Sequence, residues 1–456
     1  MKQWKKTLLL MAAAVTLTAA GGGAAGAELA AAGFNEEALK TDAQETATDL
    51  VNGDYEAVEG KFDEAMSAQL DLENLQASWE AATKDLGDYI GQVSVKGVES
   101  SGYYMVSVLE HFENNGLNVR LVYDTESRIA GMQCTYASVG EEEPEADAAY
   151  TQEKMTVTAD PDFPLDGILT LPKDVENPPV VILVQGSGTT DKNEEISGNK
   201  PFQDIAWGLA EQGIATLRYD KRYFAKPEAA PELSEMNLRL EMLDDLAAAI
   251  TLMESDERVD NQQVFVLGHS LGGLMAPAIA VEHPELSGVI SMAGTLRPLW
   301  EVSYDQVEEA FAALDETTLS EEEKTAVEEQ KAQMAKDFDT LRAGFSDLPD
   351  DTVLAGIPVG YWKSMDEYQG MNFIDEVTMP MLILQGDADF QVYPDKDYTL
   401  WEDTIGDRDN VVFHLYEGLN HLMMPTQGKR DASEYQVKSH VDPQVISDIA
   451  EFIKTY

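Results

Sequence analysis

The sequence predicts an α/β protein, a mostly parallel sheet covered by helices on both faces, with a small α+β domain in front of it. Three observations carry this. Beyond residue 150, short runs such as PPVVILVQGSG, GIATLRYD, QQVFVLGHS, LSGVISMAG and PMLILQGDAD are apolar almost throughout, as strands buried on both faces are. Stretches of helical spacing, FQDIAWGLAEQG and NLRLEMLDDLAAAITLMES, separate them. Before residue 138 the order is different, with helical spacing first and alternating stretches after it.

The N-terminus comes first. Lys2, Lys5 and Lys6 precede an apolar stretch from Thr7 to Ala19 that is short for a membrane span. Ala25-Gly26-Ala27 fits a cleavage site before Glu28, so residues 1–27 read as an export signal and the mature protein as extracytoplasmic. The run from Leu17 to Gly21 resembles a lipoprotein box, but Ala20 stands where the lipidated cysteine would be. A lipid anchor is therefore expected only if Ala20 replaces a natural cysteine. Cys134 alone allows no intrachain disulfide, and it lies in a predicted strand.

Residues 34–138 read as the small domain. Leu72, Leu75, Trp79, Ala82 and Leu86 share a helical face. YIGQVSVKGV, YYMVSVLEHF, LNVRLVYD and IAGMQCTY then alternate as an antiparallel meander, with Asn114-Asn115-Gly116 turning the middle hairpin. The acidic segment 139–149 reads as a linker, and 150–456 as the α/β domain.

One long insertion, about residues 297–369, interrupts the strand–helix alternation. Tyr304, Val307, Phe311 and Leu314 step along one helix, Ser320 and Glu323 fit a capping box, and Val327, Met334, Phe338, Leu341 and Phe345 mark a second helix. Ligands bind at the C-terminal edge of such sheets, so the insertion is expected to form a lid there. The alternative is a peripheral helical hairpin. Tyr361, Trp362 and Tyr368 fit either a pocket wall or core.

The chain of 456 residues carries 84 acidic and 31 basic residues, a formal charge of −53. That charge excludes nucleic acid and anionic membranes as partners, because both need a basic face. Apart from the signal, no stretch is long and apolar enough to span a bilayer.

The chemistry concentrates at VFVLGHSLGGLMAPAIA, an apolar strand that breaks into Gly268-His269-Ser270-Leu271-Gly272-Gly273 before a small-residue helix. A nucleophilic serine on a tight strand-to-helix turn needs this pattern, since side chains at positions 268 and 272 would crowd the turn. A glycine-rich turn with an incidental serine is the alternative. A serine hydroxyl also needs a base and an orienting acid. Of the six histidines, His269 adjoins the serine and should point elsewhere, His111 lies in the first domain, His283 ends the elbow helix, His414 sits within a strand, and His440 lies in a polar stretch. His421, in EGLNHLMMP just past the last strand, is placed to be the base. Asp389, with Asp387 as second choice, is placed to be the acid in PMLILQGDADFQV. Reading Asp387, Asp389, Asp395 and Asp397 as a calcium loop fails on spacing and on a missing glycine. In VVILVQGSGTTD, Gly186, Ser187 and Gly188 let backbone approach a substrate oxygen, so the N–H groups of Ser187 and Leu271 are assigned to an oxyanion hole.

Beyond about Tyr150 the chain resembles the α/β-hydrolase superfamily, in particular bacterial extracytoplasmic esterases and aminopeptidase-like enzymes. The matching stretches are GSGTTDKNEEISGNKPFQDIAWGLAEQGIATLRYDKR, GHSLGG, LQGDADFQV and GLNHL. The order Ser270, Asp389, His421 is that of this superfamily. Many relatives carry His-Gly before the oxyanion loop where this chain has Gln185-Gly186. The first domain is similar to small domains of unknown function with the cone-like fold of nuclear transport factors, on its helix–meander layout and NGLNVRLVYD.

The expected function is hydrolysis of a small-molecule carboxylic ester through an acyl-enzyme, without metal or organic cofactor, with activity falling in acid as His421 takes a proton. A peptidase using the same residues on an amide is the second expectation. An extracytoplasmic binding protein is the third, and it would be favoured by a degraded triad. Oligomeric state and substrate are not encoded in these motifs.

Overall fold

The computed structural model describes residues 34–456 apart from 85, 101, 114, 141–143, 146, 232–234 and 315–320. The expected export signal (residues 1–27, with Ala20), Asn114 of the hairpin turn and Ser320 of the capping box lie outside the described residues. The chain divides into two compact units, with the break inside the acidic segment 139–149. Glu195–Asn199 groups with the small unit rather than with its sequence neighbours.

The small unit begins with four helices: α1 (Glu36–Asn52), α2 (Tyr55–Glu59), α3 (Glu64–Gln69) and α4 (Leu72–Thr83). Each starts on an Asn or Asp whose side chain accepts a backbone N–H of the first turn, namely Asn35, Asp54, Asp63 and Asp71. An antiparallel meander follows, in the order β1 (Tyr89–Ser100), β2 (Tyr103–Phe112), β3 (Gly116–Tyr123), β4 (Ile129–Ala137). Burial alternates residue by residue along β2. Val106, Val108, Val119 and Leu121 face the helices and form one core with Leu39, Leu50, Leu75 and Trp79.

The large unit is built on an eight-stranded sheet: β5 (Tyr150–Val157), β6 (Leu165–Pro172), β7 (Val180–Val184), β8 (Ala215–Tyr219), β9 (Val264–His269), β10 (Gly288–Met292), β11 (Met381–Gly386) and β12 (Val411–Tyr416), in spatial order β12-β11-β10-β9-β7-β8-β6-β5. The six strands from β8 to β12 pair in parallel, and β6 runs antiparallel to both β5 and β8. This is an α/β-hydrolase sheet. The edge strand β5 escapes the sequence reading, because TQEKMTV is polar and looks like an extension of the linker.

Helices α5 (Pro201–Glu211), α6 (Asp244–Glu254), α7 (Leu271–Leu274), α8 (Ala276–Glu282), α12 (Thr399–Ile405) and α13 (Pro443–Thr455) connect the strands. Three more fill the insertion between β10 and β11: α9 (Leu299–Ala312), α10 (Glu321–Ala343) and α11 (Val359–Glu367). Strands β7, β8, β9, β10 and β11 are buried at every position. The candidate groups sit beyond the strand ends, at the C-terminal edge of the sheet. No helix among the described residues is long and apolar enough to cross a membrane.

Candidate active site

Strand β9 ends at His269, and the next residue, Ser270, turns the chain with φ +54° and ψ −112°. A non-glycine residue there carries about 1–3 kcal/mol of strain, which only over-determined surroundings sustain. Two glycines make the turn possible. A Cβ on Gly272 would lie 2.6 Å from the Val184 carbonyl oxygen, and one on Gly268 would overlap the Gly272 carbonyl. The Ser270 N–H donates to Met292 O at 2.9 Å and its carbonyl accepts the Leu274 N–H at 2.8 Å, so the turn is pinned at both sides.

His421 follows β12 and is buried, with Nδ1 2.7 Å from Asp389 Oδ2. A carboxylate only accepts, so Nδ1 carries the hydrogen and Nε2 of the neutral ring is left as a base. Asp389 is fixed in turn by the backbone N–H groups of Gln391 (2.7 Å) and Val392 (3.0 Å) and by Gln385 Nε2 (2.8 Å). Asp387 instead accepts the Gly418 N–H at 2.6 Å. Three other histidines of the large unit are engaged elsewhere, His283 with Glu285, His414 near Asp448 and His440 with Asp204, and His111 lies in β2 of the small unit. Asp397 is taken up by Arg297, Thr295 and the Tyr393 N–H. Among the described residues no group of three His, Cys, Asp or Glu side chains could hold a metal ion.

Ser270 opens on a cleft that Ser187, Leu271, Val302, Gln306 and Val392 also line. The backbone N–H groups of Ser187 and Leu271 have no acceptor among the described residues. The loop carrying Ser187 is held from below. Gly188 has φ +88°, and a Cβ on Gly186 would lie 3.0 Å from that of Ser270. Gln185 Nε2 donates to Tyr219 O at 2.5 Å, so the glutamine that departs from His-Gly ties the loop to the end of β8.

Three participants are missed by sequence reasoning. Lys221 is buried, donates to the carbonyls of Gly186 (2.8 Å) and Gly188 (2.7 Å), and pairs with Glu241 at 2.9 Å. Its place directly after β8, in RYDKR, is the signal that could have found it. Glu194 accepts the Gly186 N–H, and His269 is turned toward the His421 loop. From the insertion, α9 presents Leu299, Val302 and Gln306 to the cleft, and Gln306 Nε2 donates to Gln391 O at 2.9 Å. Tyr361, Trp362 and Tyr368 pack in the core instead, with Tyr361 hydrogen-bonded to Glu241.

Residues 196–426 match the family described as serine aminopeptidase, S33. The esterase EstD of Thermotoga maritima is 30% identical over 410 residues, covering 89% of this chain and 92% of that protein. The chain belongs to this family. As a member of it, the protein is a serine hydrolase. Residues 43–132 match a family of unknown function, DUF3887, so the small unit is shared with other proteins. Among solved structures, the Pyrococcus furiosus esterase PF2001 is similar with a TM-score of 0.44 and 14% identity over 70% of this chain and 96% of that one. Est1E from Butyrivibrio proteoclasticus, with ferulic acid bound, gives a TM-score of 0.41 and 20% identity over 66% and 98%.

Proposed function

We propose that the large unit hydrolyses small carboxylic esters through an acyl-enzyme, with Ser270 as nucleophile, His421 as base and Asp389 as the acid that orients it. The observation that carries this is the cleft itself, which the strained Ser270 lines together with Ser187 and Leu271, whose N–H groups have no acceptor among the described residues. In this reading His421 Nε2 takes the Ser270 proton as Oγ attacks the ester carbonyl. The Ser187 and Leu271 N–H groups hold the oxyanion, and the alcohol leaves with the proton from His421. Water then cleaves the acyl group by the same steps, with His421 again as base.

The cleft encloses about 20 Å³, space for a single water and not for an ester. In this reading substrate enters when α9 withdraws Leu299, Val302 and Gln306, with the insertion acting as a lid, and the small volume of the cleft supports this. The basic then apolar N-terminus supports an extracytoplasmic place of action. The esterase name of the Thermotoga maritima relative supports esters, and the aminopeptidase in the family description keeps amides of amino acids as the second reading.

The test is hydrolysis of p-nitrophenyl esters of increasing acyl length beside folded Ser270→Ala. We expect the variant to lose about 10⁴-fold or more in kcat. Equal rates would remove Ser270 from the mechanism. No turnover by either protein would favour aminoacyl amides, to be tried next as p-nitroanilides.

A further inference from the structure

His269 takes part in a buried circuit that the proposed mechanism does not use. Its ring is the side chain next to Ser270 and is fully enclosed. Nε2 lies 3.0 Å from the His421 carbonyl oxygen, and Nδ1 lies 2.8 Å from Glu194 Oε2. The other oxygen of that carboxylate, Oε1, accepts the Gly186 N–H at 2.5 Å. The two imidazole rings of His269 and His421 are 4.7 Å apart between centroids.

Acceptor logic places one hydrogen on the ring. A carbonyl oxygen only accepts, so Nε2 of His269 carries a hydrogen. Glu194 Oε2 lies beside Nδ1 without a well-aligned hydrogen bond to it, close enough for an ion pair with a protonated ring. Burial alone would push this histidine toward the neutral form. Glu194 more than reverses that, with smaller help from the His421 carbonyl and Asp389, so its pKa lies above the ordinary histidine value. Glu194 itself has φ +51°, an uncommon conformation for a side chain of its size.

We propose that Glu194 and His269 form a charged clamp that sets the spacing of three segments of the site: the elbow that carries Ser270, the loop that carries Ser187, and the loop that carries His421. Each end of the pair grips a backbone group one residue from, or within, a reacting position. Gly186 precedes Ser187, His269 precedes Ser270, and the carbonyl held by Nε2 is that of His421 itself. Glu194 and His269 are positioning residues, acting through these neighbours rather than on substrate. The pair explains a histidine at the last strand position before the nucleophile.

The clamp rests on the roles proposed for Ser270 and His421. A Ser270→Ala protein that still turns over ester removes those roles, whereas an unchanged Glu194→Gln protein removes only the clamp. Glu194→Gln retains an oxygen for the Gly186 N–H but not the charge. We expect kcat to fall about 10²-fold, as misplacement by an ångström does, with KM changed far less. The pH profile should respond too. Without the carboxylate, His269 gives up its second proton at lower pH, so the alkaline fall in kcat begins earlier than in the parent. Adding His269→Gln to Glu194→Gln should cost little more than either alone, since both break one unit. Unchanged kcat and pH profile in Glu194→Gln, or costs that multiply in the double variant, would overturn the clamp. A reading that needs no variant is the proton NMR spectrum of the parent protein. Two ring N–H resonances from His269 at neutral pH are expected, and a singly protonated ring would overturn the proposal even if both variants failed to fold.

Discussion

The two sheets of this chain solve burial differently. Strand β7 of the large unit is buried at every position, while β2 of the small unit alternates buried and half-buried residues along its whole length. The large sheet, covered on both faces, sets its candidate catalytic groups past the strand ends, although it also encloses Arg218 in β8, held by Asn193 and Gln152. A sheet covered on one face can hold a charged group in mid-strand, and the small unit does so. Glu110, in β2, is fully buried on the core-facing side, accepting from Tyr89 Oη at 2.7 Å and Gln92 Nε2 at 2.9 Å. Asp389, at the end of the large sheet, has four donors, two of them backbone N–H groups. The difference teaches where each sheet tolerates change.

Glycines give the sharpest contrast. Gly272→Ala brings a methyl group within 2.6 Å of the Val184 carbonyl oxygen, where only backbone could yield. We expect it to unmake the turn, with loss of essentially all esterase activity and several kcal/mol of stability. Gly131→Ala in the small sheet meets nothing nearer than Val122 side-chain carbons at 3.5 Å, an ordinary contact. It should leave activity and melting within error of the parent. Circular dichroism melts and ester turnover of the two variants, side by side, check both. A tolerant Gly272 would break the comparison.

The acids come next. Asp389→Asn keeps the size of the side chain but reverses one donor–acceptor relation, so His421 is offered the wrong tautomer. A drop of about 10⁴-fold in kcat is expected, with the melting temperature little changed. Steady-state kinetics on the folded variant decide it. The same exchange at Asp387, which serves only the Gly418 N–H, should cost less than threefold, about 0.6 kcal/mol.

Much of this was legible in the sequence because each feature is local. VFVLGHSLGG shows strand, turn and helix within one window, and the strand ends that carry Asp389 and His421 follow from apolar runs stopping at LQGDAD and LYEGLNH. What stayed hidden depends on chain segments far apart in sequence. Nothing in DKNEEIS says that Glu194 will meet His269, 75 positions on, because that contact is made by the sheet order that puts β7 beside β9. The same holds for Lys221, whose carbonyl partners belong to the loop after the neighbouring strand β7. Polar β5 was missed because edge strands lose the apolar signal that identifies central ones.

Glu110 is expected to show a modest, pH-dependent effect. Burial pushes its pKa above the ordinary glutamate value, and the hydrogen bonds from Tyr89 and Gln92 only partly oppose this. The folded small unit therefore holds this proton to higher pH than the unfolded chain does. Stability from Glu110 is complete below the ordinary glutamate value, falls as pH rises toward the raised value, and stays reduced above it. Glu110→Gln keeps the shape and removes the charge, so it should protect the small unit at pH 7 by about 1 kcal/mol and make no difference near pH 4. Hydrogen–deuterium exchange of peptides covering Tyr103–Phe112, with parent and variant compared at each pH, reads the small unit separately from the large one. Weaker protection of the variant at both pH values would mean that the sheet needs the carboxylate, and the contrast with Asp389 would then be one of location alone.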